Sequence, residues 1–368
     1  MALSVIGLLA LGLVMEASAS VSIADNLYGN PLHFFIRQLL FSAIGATLAV
    51  LVLRVPLAWL EKSSQLMLPG VLALLLLVFV PGLGYSVNGS LRWIHLGVAG
   101  FQVAEGAKLL FIVYLAGYLA RHQSVLRTRF SEPFKPLIVA FGCAVLLLLQ
   151  PDFGSAVILV AIAGAMVWLA GARMTHLFGL ASLSIPVLAL AAVAEPYRIR
   201  RLTSFLNPWA DPFNGGFQLT QALIAIGRGE WLGVGLGGSV QKLSYLPEAH
   251  TDFVFSVIAE ELGFIGVSVV LALFLVLVWR GILIGLDCLQ DGKLFNGYLA
   301  FGLSLWLGLQ ALVSIGVNLG VLPTKGLTLP FMSSGGSSLV TLWLAVALLL
   351  RVGIEQKRGA VTRRGGRR

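Results

Sequence analysis

The sequence from residue 253 to residue 279 reads FVFSVIAEELGFIGVSVVLALFLVLVW, and almost all of it is apolar. The segment before it, residues 242–252, reads KLSYLPEAHTD and is rich in polar and charged side chains. A helix that crosses a hydrocarbon core of roughly 30 Å needs about 20 predominantly apolar residues. The pattern therefore predicts a membrane span at 253–279 that begins where a water-facing loop ends, at Asp252.

Apolar runs of similar length recur along the whole chain. Of its 368 residues, 58% are hydrophobic and only 11% are charged, and the mean hydropathy is +0.93. This composition excludes an ordinary soluble domain. We predict an all-α polytopic membrane protein with about ten transmembrane helices, at residues 2–18, 33–53, 66–81, 103–120, 134–150, 155–171, 175–194, 253–279, 297–317 and 337–352. These spans form one integral membrane domain, residues 1–352, with a large extracytoplasmic loop, residues 195–251, between helices 7 and 8.

The formal net charge of +9 is a signal of membrane topology. Lys and Arg side chains are concentrated in alternate loops and in the C-terminal tail, and the positive-inside rule places these segments in the cytoplasm. Both termini are then cytoplasmic, the loop 195–251 lies outside, and residues 353–368 form a basic cytoplasmic tail. We predict no nucleic-acid partner, because the same basic tail is suited to contact anionic lipid.

Asp252 is the leading candidate for a catalytic residue. An ionised acid at the entry to a membrane span is costly unless it has a function or a partner. The alternative is that Asp252 is an ordinary N-cap of the helix that follows, with Thr251 as the rival capping residue. Glu248 and His250 crowd the same corner, which favours a functional site.

Further acids and cations lie within the predicted spans. Glu260 and Glu261 follow Asp252 inside the same span, where acids usually face the bundle interior or a wet cavity. A cation is expected opposite them, and Lys108 is one candidate. Lys108 follows Glu105 by three positions on one helix face, so a structural ion pair between these two is the alternative explanation.

The remaining candidates lie in the predicted outer loops. The loop 318–338 has the Gly, Pro, Ser and Thr content of a re-entrant segment buried against protein. Basic side chains near the interface hold phosphates by charge and hydrogen bonds, and a loop Asp suits a turn or an N-cap. These further candidates are Arg92, Trp93, Asp152, Arg200, Lys325 and Ser337.

Other patterns in the chain bear on a dinucleotide site, a surface helix, a zinc site and disulfides. Residues 233–238 match GxGxxG, but no strand precedes them, so we do not predict a dinucleotide site. An amphipathic helix on the membrane surface is predicted at 216–226. The histidines and cysteines lack zinc-site spacing, and the two cysteines, Cys143 and Cys288, predict no disulfide framework.

Several of these segments resemble the signatures of the SEDS family (shape, elongation, division and sporulation). They are LPEAHTDF at 246–253, AEELG at 259–263, PTKGLTLPF at 323–331 and GGSS at 335–338, together with Arg92-Trp93 and PDFG at 151–154. The sequence of residues 324–331 is more similar to that of the division members of the family than to that of the elongation members. The chain departs from the family at QVAE, residues 102–105, where QPSE is usual, and at Ser334, where Tyr is commoner.

The resemblance implies a peptidoglycan glycosyltransferase that polymerises lipid II at the outer face of the bacterial cytoplasmic (inner) membrane during septal wall synthesis. Asp252 would be the general base on the acceptor sugar hydroxyl. The substrate and its pyrophosphate would be bound by Arg92, Lys108, Lys325, Arg200, His250 and Ser337, with structural support from Glu105, Trp93, Asp152, Glu248, Glu260 and Glu261.

The same resemblance implies the partners and cofactors. The partners are a class B penicillin-binding protein, which is the septal transpeptidase, and other membrane proteins of the divisome. A divalent cation, Mg²⁺ or Mn²⁺, would help to neutralise the pyrophosphate, and no organic cofactor is implied.

Two other functions stay open at this point. A lipid II flippase would use intramembrane Glu260, Glu261 and Lys108 to line a path, and such a path needs polar residues throughout the membrane depth. In this sequence they gather near the predicted outer ends of the spans. A non-catalytic scaffold of the divisome would tolerate replacement of Asp252 by Asn.

Overall fold

The structure is a computed structural model that describes residues 1–87, 89–96, 99–193, 204–243, 245–323 and 326–365. Short 3₁₀ turns lie at Ser64–Leu66 and Pro208–Ala210. The helices are α1 (Ala2–Tyr28), α2 (His33–Val52), α3 (Leu57–Ser63), α4 (Met67–Leu77), α5 (Val103–Arg121), α6 (Gln123–Thr128), α7 (Phe134–Leu149), α8 (Phe153–Leu169), α9 (Met174–Val193), α10 (Phe217–Gly229), α11 (Val254–Gln290), α12 (Leu294–Asn318) and α13 (Gly336–Gly365).

Most of these helices are apolar enough to cross a membrane. Within the described part of the chain, seven spans are also long enough, when α3 and α4 are counted as one. Helices α7 and α8 and residues Met174–Val187 of α9 are shorter apolar segments. The predicted polytopic helical fold with about ten spans is therefore confirmed.

Several predicted span boundaries are wrong by a few residues or more. Helix α1 continues to Tyr28 because its small residues are buried, and it ends at Gly29, whose φ of 62° stops the helix. The third span begins at Leu57 rather than at residue 66. The charged Glu61 and Lys62 make this stretch resemble a loop, but they lie within helix α3. Helix α13 continues to Gly365, so the predicted tail is helical from residue 353 to residue 365.

A small antiparallel sheet, which the sequence analysis did not predict, precedes α5. Its strands are β1 (Gly84–Val87), β2 (Ser90–Leu96) and β3 (Ala99–Gln102), in the order β1-β2-β3. Tyr85 pairs with Trp93 across β1 and β2, and Trp93 pairs with Gln102 across β2 and β3. The sheet leads directly into α5, since β3 ends at Gln102 and α5 begins at Val103.

The chain divides into two compact units. The first consists of residues Met1–Ala43, Ala189–Leu277 and Leu307–Leu339, and the second of Ile44–Leu188, Val278–Trp306 and Val340–Arg368. In the second unit, α4, α5, α7 and α8 pack against one another, and α5 is buried along most of its length. The prediction of a single integral membrane domain stays a prediction.

Helix α11 is broken at Gly263, in the first unit. Gly263 has φ 64° and ψ −165°, a conformation that favours glycine. The break frees backbone groups on both sides, and the loop after α10 pairs with them. The hydrogen bonds run from Val234 N to Glu260 O (2.9 Å), from Gly235 N to Glu261 O (3.1 Å), from Phe264 N to Glu230 O (2.9 Å) and from Ile265 N to Trp231 O (3.2 Å).

The helix predicted at 216–226 is present, and side chains of the segment predicted to be re-entrant are buried. The amphipathic helix is α10, which buries Leu219, Ala222 and Ala225 on one face. In the segment after α12, Leu327 and Phe331 are buried although they belong to no helix or strand. Both elements belong to the first unit, which also contains Asp252.

Candidate active site

Asp252 lies two residues before the first residue of α11 and is half-buried. The Nδ2 group of Asn318 donates to the backbone carbonyl of Asp252 at 2.9 Å. The Oδ1 atom of Asn318 accepts from the amide of Ser256 at 3.1 Å and from its hydroxyl at 2.8 Å. Asn318, at the end of α12, is fully buried, so it holds the backbone of Asp252 and caps the first turn of α11.

Thr251 does not act as the alternative N-cap. Its hydroxyl donates to the Glu248 carboxylate at 2.6 Å and contacts the Glu248 carbonyl at 3.2 Å. The same carbonyl accepts from the amides of Thr251 and Phe253. Glu248 itself has φ 59°, which is unusual for a side chain with a Cβ atom. Glu248 thus begins a tight turn that contains Asp252.

His250 is buried and packs against Phe34 of α2, with a ring-centroid distance of 4.8 Å. Burial lowers the pKa of the His250 imidazole, and the nearby Glu248 partly offsets this effect. Its Nδ1 atom has no hydrogen-bond partner among the residues that the structure describes. A buried neutral imidazole with an unused nitrogen is suited to contact a polar substrate group.

The segment after α12 packs against the same corner. The amide of Ser334 donates to the His250 carbonyl at 2.9 Å, and Gln38 Nε2 donates to the Ser333 carbonyl at 3.3 Å. Gly12 of α1 lies against Phe331, where an added Cβ would be 2.3 Å from the Phe331 carbonyl oxygen. The segment is therefore held by α1, by α2 and by the turn that carries His250.

Glu260 and Glu261 face α10 and the segment that follows it. Glu261 accepts from Lys242 Nζ at 2.7 Å, and Glu260 accepts from Arg228 at 3.1 Å. Both carboxylates are buried, with side-chain exposures of 0%. The sequence predicts a cation opposite these acids, with Lys108 as one candidate, and the structure places Arg228 and Lys242 there. Both acids have a structural role in this unit.

In the second unit, Lys108 and Glu105 form the ion pair expected from their spacing. The Nζ to Oε1 distance is 2.8 Å, and the side chains are 0% and 2% exposed. Lys108 Nζ also lies 5.1 Å from the ring centroid of Trp306. An ammonium buried in this way is structurally supported on two sides.

Arg92 and Trp93 lie on strand β2, also in the second unit. Arg92 Nε and Trp93 Nε1 are buried, and neither has a hydrogen-bond partner within the described residues. Asp152 is the N-cap of α8, where it accepts from the amide of Ser155 at 3.1 Å and from its hydroxyl at 2.8 Å. The prediction that Asp152 is the N-cap of a helix is thus confirmed.

The three other residues predicted to bind the substrate are Arg200, Lys325 and Ser337. Arg200 and Lys325 lie outside the described residues. Ser337 is buried near the start of α13, in the first unit. The predicted binding roles of all three stay predictions.

Sequence reasoning missed several residues of this site. Asn318 and Ser18 lie far from Asp252 in the chain, and neither belongs to a charged motif. Glu16 in α1 is fully buried within an apolar helix. The signal that was available for Glu16 is that it is the acid near the middle of an apolar run.

A divalent cation needs oxygen ligands in an open site. The residues that the structure describes contain no group of three or more His, Cys, Asp or Glu side chains arranged for a metal ion. Mg²⁺ often binds through one or two carboxylates together with substrate phosphates. Asp252 or Glu248 fits that donor set only as a single ligand.

Comparisons with known proteins cover almost the whole chain. The sequence model of the cell cycle protein family of FtsW, RodA and SpoVE matches residues 1–358. The probable peptidoglycan glycosyltransferase FtsW of Thioalkalivibrio sulfidiphilus is 54% identical over 95% of this chain and 88% of the relative. The corresponding protein of Legionella pneumophila is 50% identical over 96% of this chain and 90% of the relative.

Solved structures match the fold as well. A chain of a peptidoglycan synthase complex that coordinates polymerization and crosslinking has a TM-score of 0.78 and 31% identity, over 96% of this chain and 97% of that one. The rod shape determining protein RodA of Thermus thermophilus has a TM-score of 0.68 and 28% identity, with 96% of each chain covered. The chain therefore belongs to the FtsW/RodA/SpoVE family of cell cycle proteins, as the resemblance to SEDS signatures indicated.

Proposed function

We propose that Asp252 is the general base of a peptidoglycan glycosyltransferase reaction. The chain is a membrane-embedded peptidoglycan glycosyltransferase of cell division, since its relatives at 50% to 54% identity are named FtsW peptidoglycan glycosyltransferases. One observation carries the role of Asp252. Its half-buried position at the start of α11 is held through the backbone by a fully buried Asn318, and His250 lies two residues before it.

In the proposed reaction the substrate is lipid II. The Asp252 carboxylate accepts the proton of the acceptor sugar 4-hydroxyl while that oxygen attacks C1 of the donor sugar. The bond from C1 to the pyrophosphate oxygen breaks, and the lipid pyrophosphate leaves with the bonding electrons. The new glycosidic bond has inverted configuration at C1, and the glycan is longer by one disaccharide.

The leaving pyrophosphate requires positive charge as the bond breaks. We assign this role to the cations predicted from the sequence, which are Arg92, Lys108, Arg200 and Lys325. A divalent cation, Mg²⁺ or Mn²⁺, would supply further charge when bound to the pyrophosphate together with a carboxylate. The described residues include no group of three or more His, Cys, Asp or Glu side chains that could hold the ion.

A class B penicillin-binding protein and other divisome membrane proteins are the proposed partners. The support is that one structural neighbour is a chain of a peptidoglycan synthase complex. The proposed orientation has both termini in the cytoplasm and residues 195–251 outside, with the protein at the division septum. Lipid II would then enter from the outer leaflet, where its sugar headgroup meets Asp252.

The test is glycan polymerisation from purified lipid II in detergent or vesicles, with the partner synthase present. We expect no product from a folded Asp252→Asn variant. Asp25→Asn is the matched control, because Asp25 is an exposed acid of α1 and its removal changes the net charge equally. Equal product from Asp252→Asn and from the parent would remove Asp252 from the base role.

A folded parent that yields no product, but that moves lipid II across vesicle membranes, would instead support the flippase alternative.

A further inference from the structure

Asp252 lies in a stretch of turns between α10 and α11, so no regular element fixes its backbone. The position of its carboxylate depends on how this stretch is held at each side. On the C-terminal side, Asn318 holds the Asp252 carbonyl and the first turn of α11. The N-terminal side needs a separate attachment.

That attachment is Lys242. Its Nζ group lies 2.7 Å from Glu261 Oε1 and donates to Ser18 Oγ at 2.8 Å. The Ser18 hydroxyl in turn lies 2.7 Å and 2.8 Å from the two Glu261 oxygens. All three side chains belong to the first unit, and they join α1, the extracytoplasmic loop and α11.

Lys242 and Glu261 are 19 residues apart in sequence, and Asp252 lies midway between them. Their contact therefore closes a loop that contains the proposed base. Closing a loop removes much of the conformational freedom of the residues inside it. The ion pair is thus placed to limit the motion of Asp252.

Glu260 reinforces the same attachment. It accepts hydrogen bonds from the Ser239 hydroxyl and from the Val240 amide, the latter at 3.1 Å. The residues just before Lys242 are thereby held against α11 at its break. The adjacent buried carboxylates of Glu260 and Glu261 thus both bind this loop, and each accepts several hydrogen bonds.

A buried ion pair is often no more stabilising than apolar side chains of the same volume. Its hydrogen bonds are directional, however, and they fix one arrangement of the chain where apolar contacts allow several. We propose that Lys242 and Glu261, braced by Ser18 of α1, are positioning residues that hold Asp252 for the reaction. This inference rests on Asp252 being the general base.

The decisive variant is the double replacement Lys242→Met/Glu261→Met, which removes both charges and leaves neither one buried alone. We expect its thermal unfolding temperature and its KM for lipid II to stay close to those of the parent. We expect kcat to fall by about 10- to 100-fold, since small misplacements of a reacting group have effects of that size. The ion pair Arg351–Glu355 of α13 provides the control, as Arg351→Met/Glu355→Met should leave kcat unchanged.

Ser18→Ala is a second test that keeps both charges, and it decides the matter if the double variant does not fold. A fall in kcat with an unchanged KM and unfolding temperature supports the positioning role. If the double variant folds and has the parental kcat, the positioning role is overturned. If the double variant does not fold, a parental kcat in Ser18→Ala overturns the positioning role. Asp252→Asn, assayed alongside, separates the two proposals: if it is inactive while these variants have parental kcat, only the positioning role fails.

Discussion

The buried Lys108 ammonium pairs with Glu105, and we propose that it also binds the substrate pyrophosphate. Replacement of Lys108 by Met alone leaves the Glu105 charge buried without its cation, and we expect a loss of about 3–5 kcal/mol in the free energy of unfolding. The double variant Glu105→Gln/Lys108→Met removes both charges, so we expect its stability to be close to that of the parent. We expect it still to polymerise lipid II poorly, because a thioether cannot stabilise pyrophosphate.

Thermal unfolding and polymerisation assays of the two variants check this prediction. Polymerisation that returns together with stability in the double variant would limit Lys108 to a structural role.

His250 gives the protein a predictable dependence on pH. Burial lowers the pKa of its imidazole in the folded state, whereas an unfolded chain has the ordinary value of about 6.5. As the pH falls through about 6.5, the unfolded state takes up a proton before the folded state does, so the free energy of unfolding decreases. We expect acidification to lower the unfolding temperature more in the parent than in His250→Gln.

An acid sensitivity of His250→Gln equal to that of the parent would show that other groups cause the effect.

At the scale of the element, the break in α11 requires a glycine. An Ala at position 263 would need φ near 64° and would place its Cβ 2.3 Å from the Gly233 nitrogen. The backbone strain alone is of the order of 1–3 kcal/mol. We therefore expect Gly263→Ala to lower the unfolding temperature of the purified protein substantially.

Gly227→Ala is the control, because Gly227 lies in α10 and an added Cβ there meets nothing within 4 Å. This change should stabilise the helix by about 0.5–1 kcal/mol. If the two variants unfold at the same temperature, then the break at Gly263 is not needed for the fold.

The elements differ in how far the sequence predicts them. Long apolar runs predict the membrane helices well, since only a helix satisfies its backbone within lipid. The break at Gly263 could not be predicted, because the apolar run continues through it and the loop that pairs with it comes from residues 230–235. The sheet before α5 was missed because its strands are short and lack a clear alternation of polar and apolar residues.

The site shows the same limit. Glu248, His250 and Asp252 are neighbours in sequence and were identified together. Asn318 and Ser18 come from other helices, and only the folded chain brings them to this turn and to Lys242. Contacts between remote segments are not encoded in a local pattern of residues.

For the whole molecule, the distribution of Lys and Arg predicts the orientation in the membrane. Phe213 is 84% exposed in the predicted outer loop, and Arg54 is exposed in the turn between α2 and α3, on the predicted cytoplasmic side. In intact cells, we expect a membrane-impermeant thiol reagent to label Phe213→Cys and not Arg54→Cys. Labelling of Arg54→Cys alone would reverse the proposed orientation.

The contact between α1 and the segment after α12 also bears on biosynthesis. Gly12 packs against Phe331 and Met332, which the ribosome adds more than three hundred residues later. At roughly 5–20 residues per second, α1 waits for about a quarter of a minute to a minute before this neighbour exists. During that interval the acid at Glu16 has not reached its final surroundings. Helix α1 therefore makes its last contacts only after residue 331 has been added, and a nascent chain that stalls before that residue leaves the helix open to quality control.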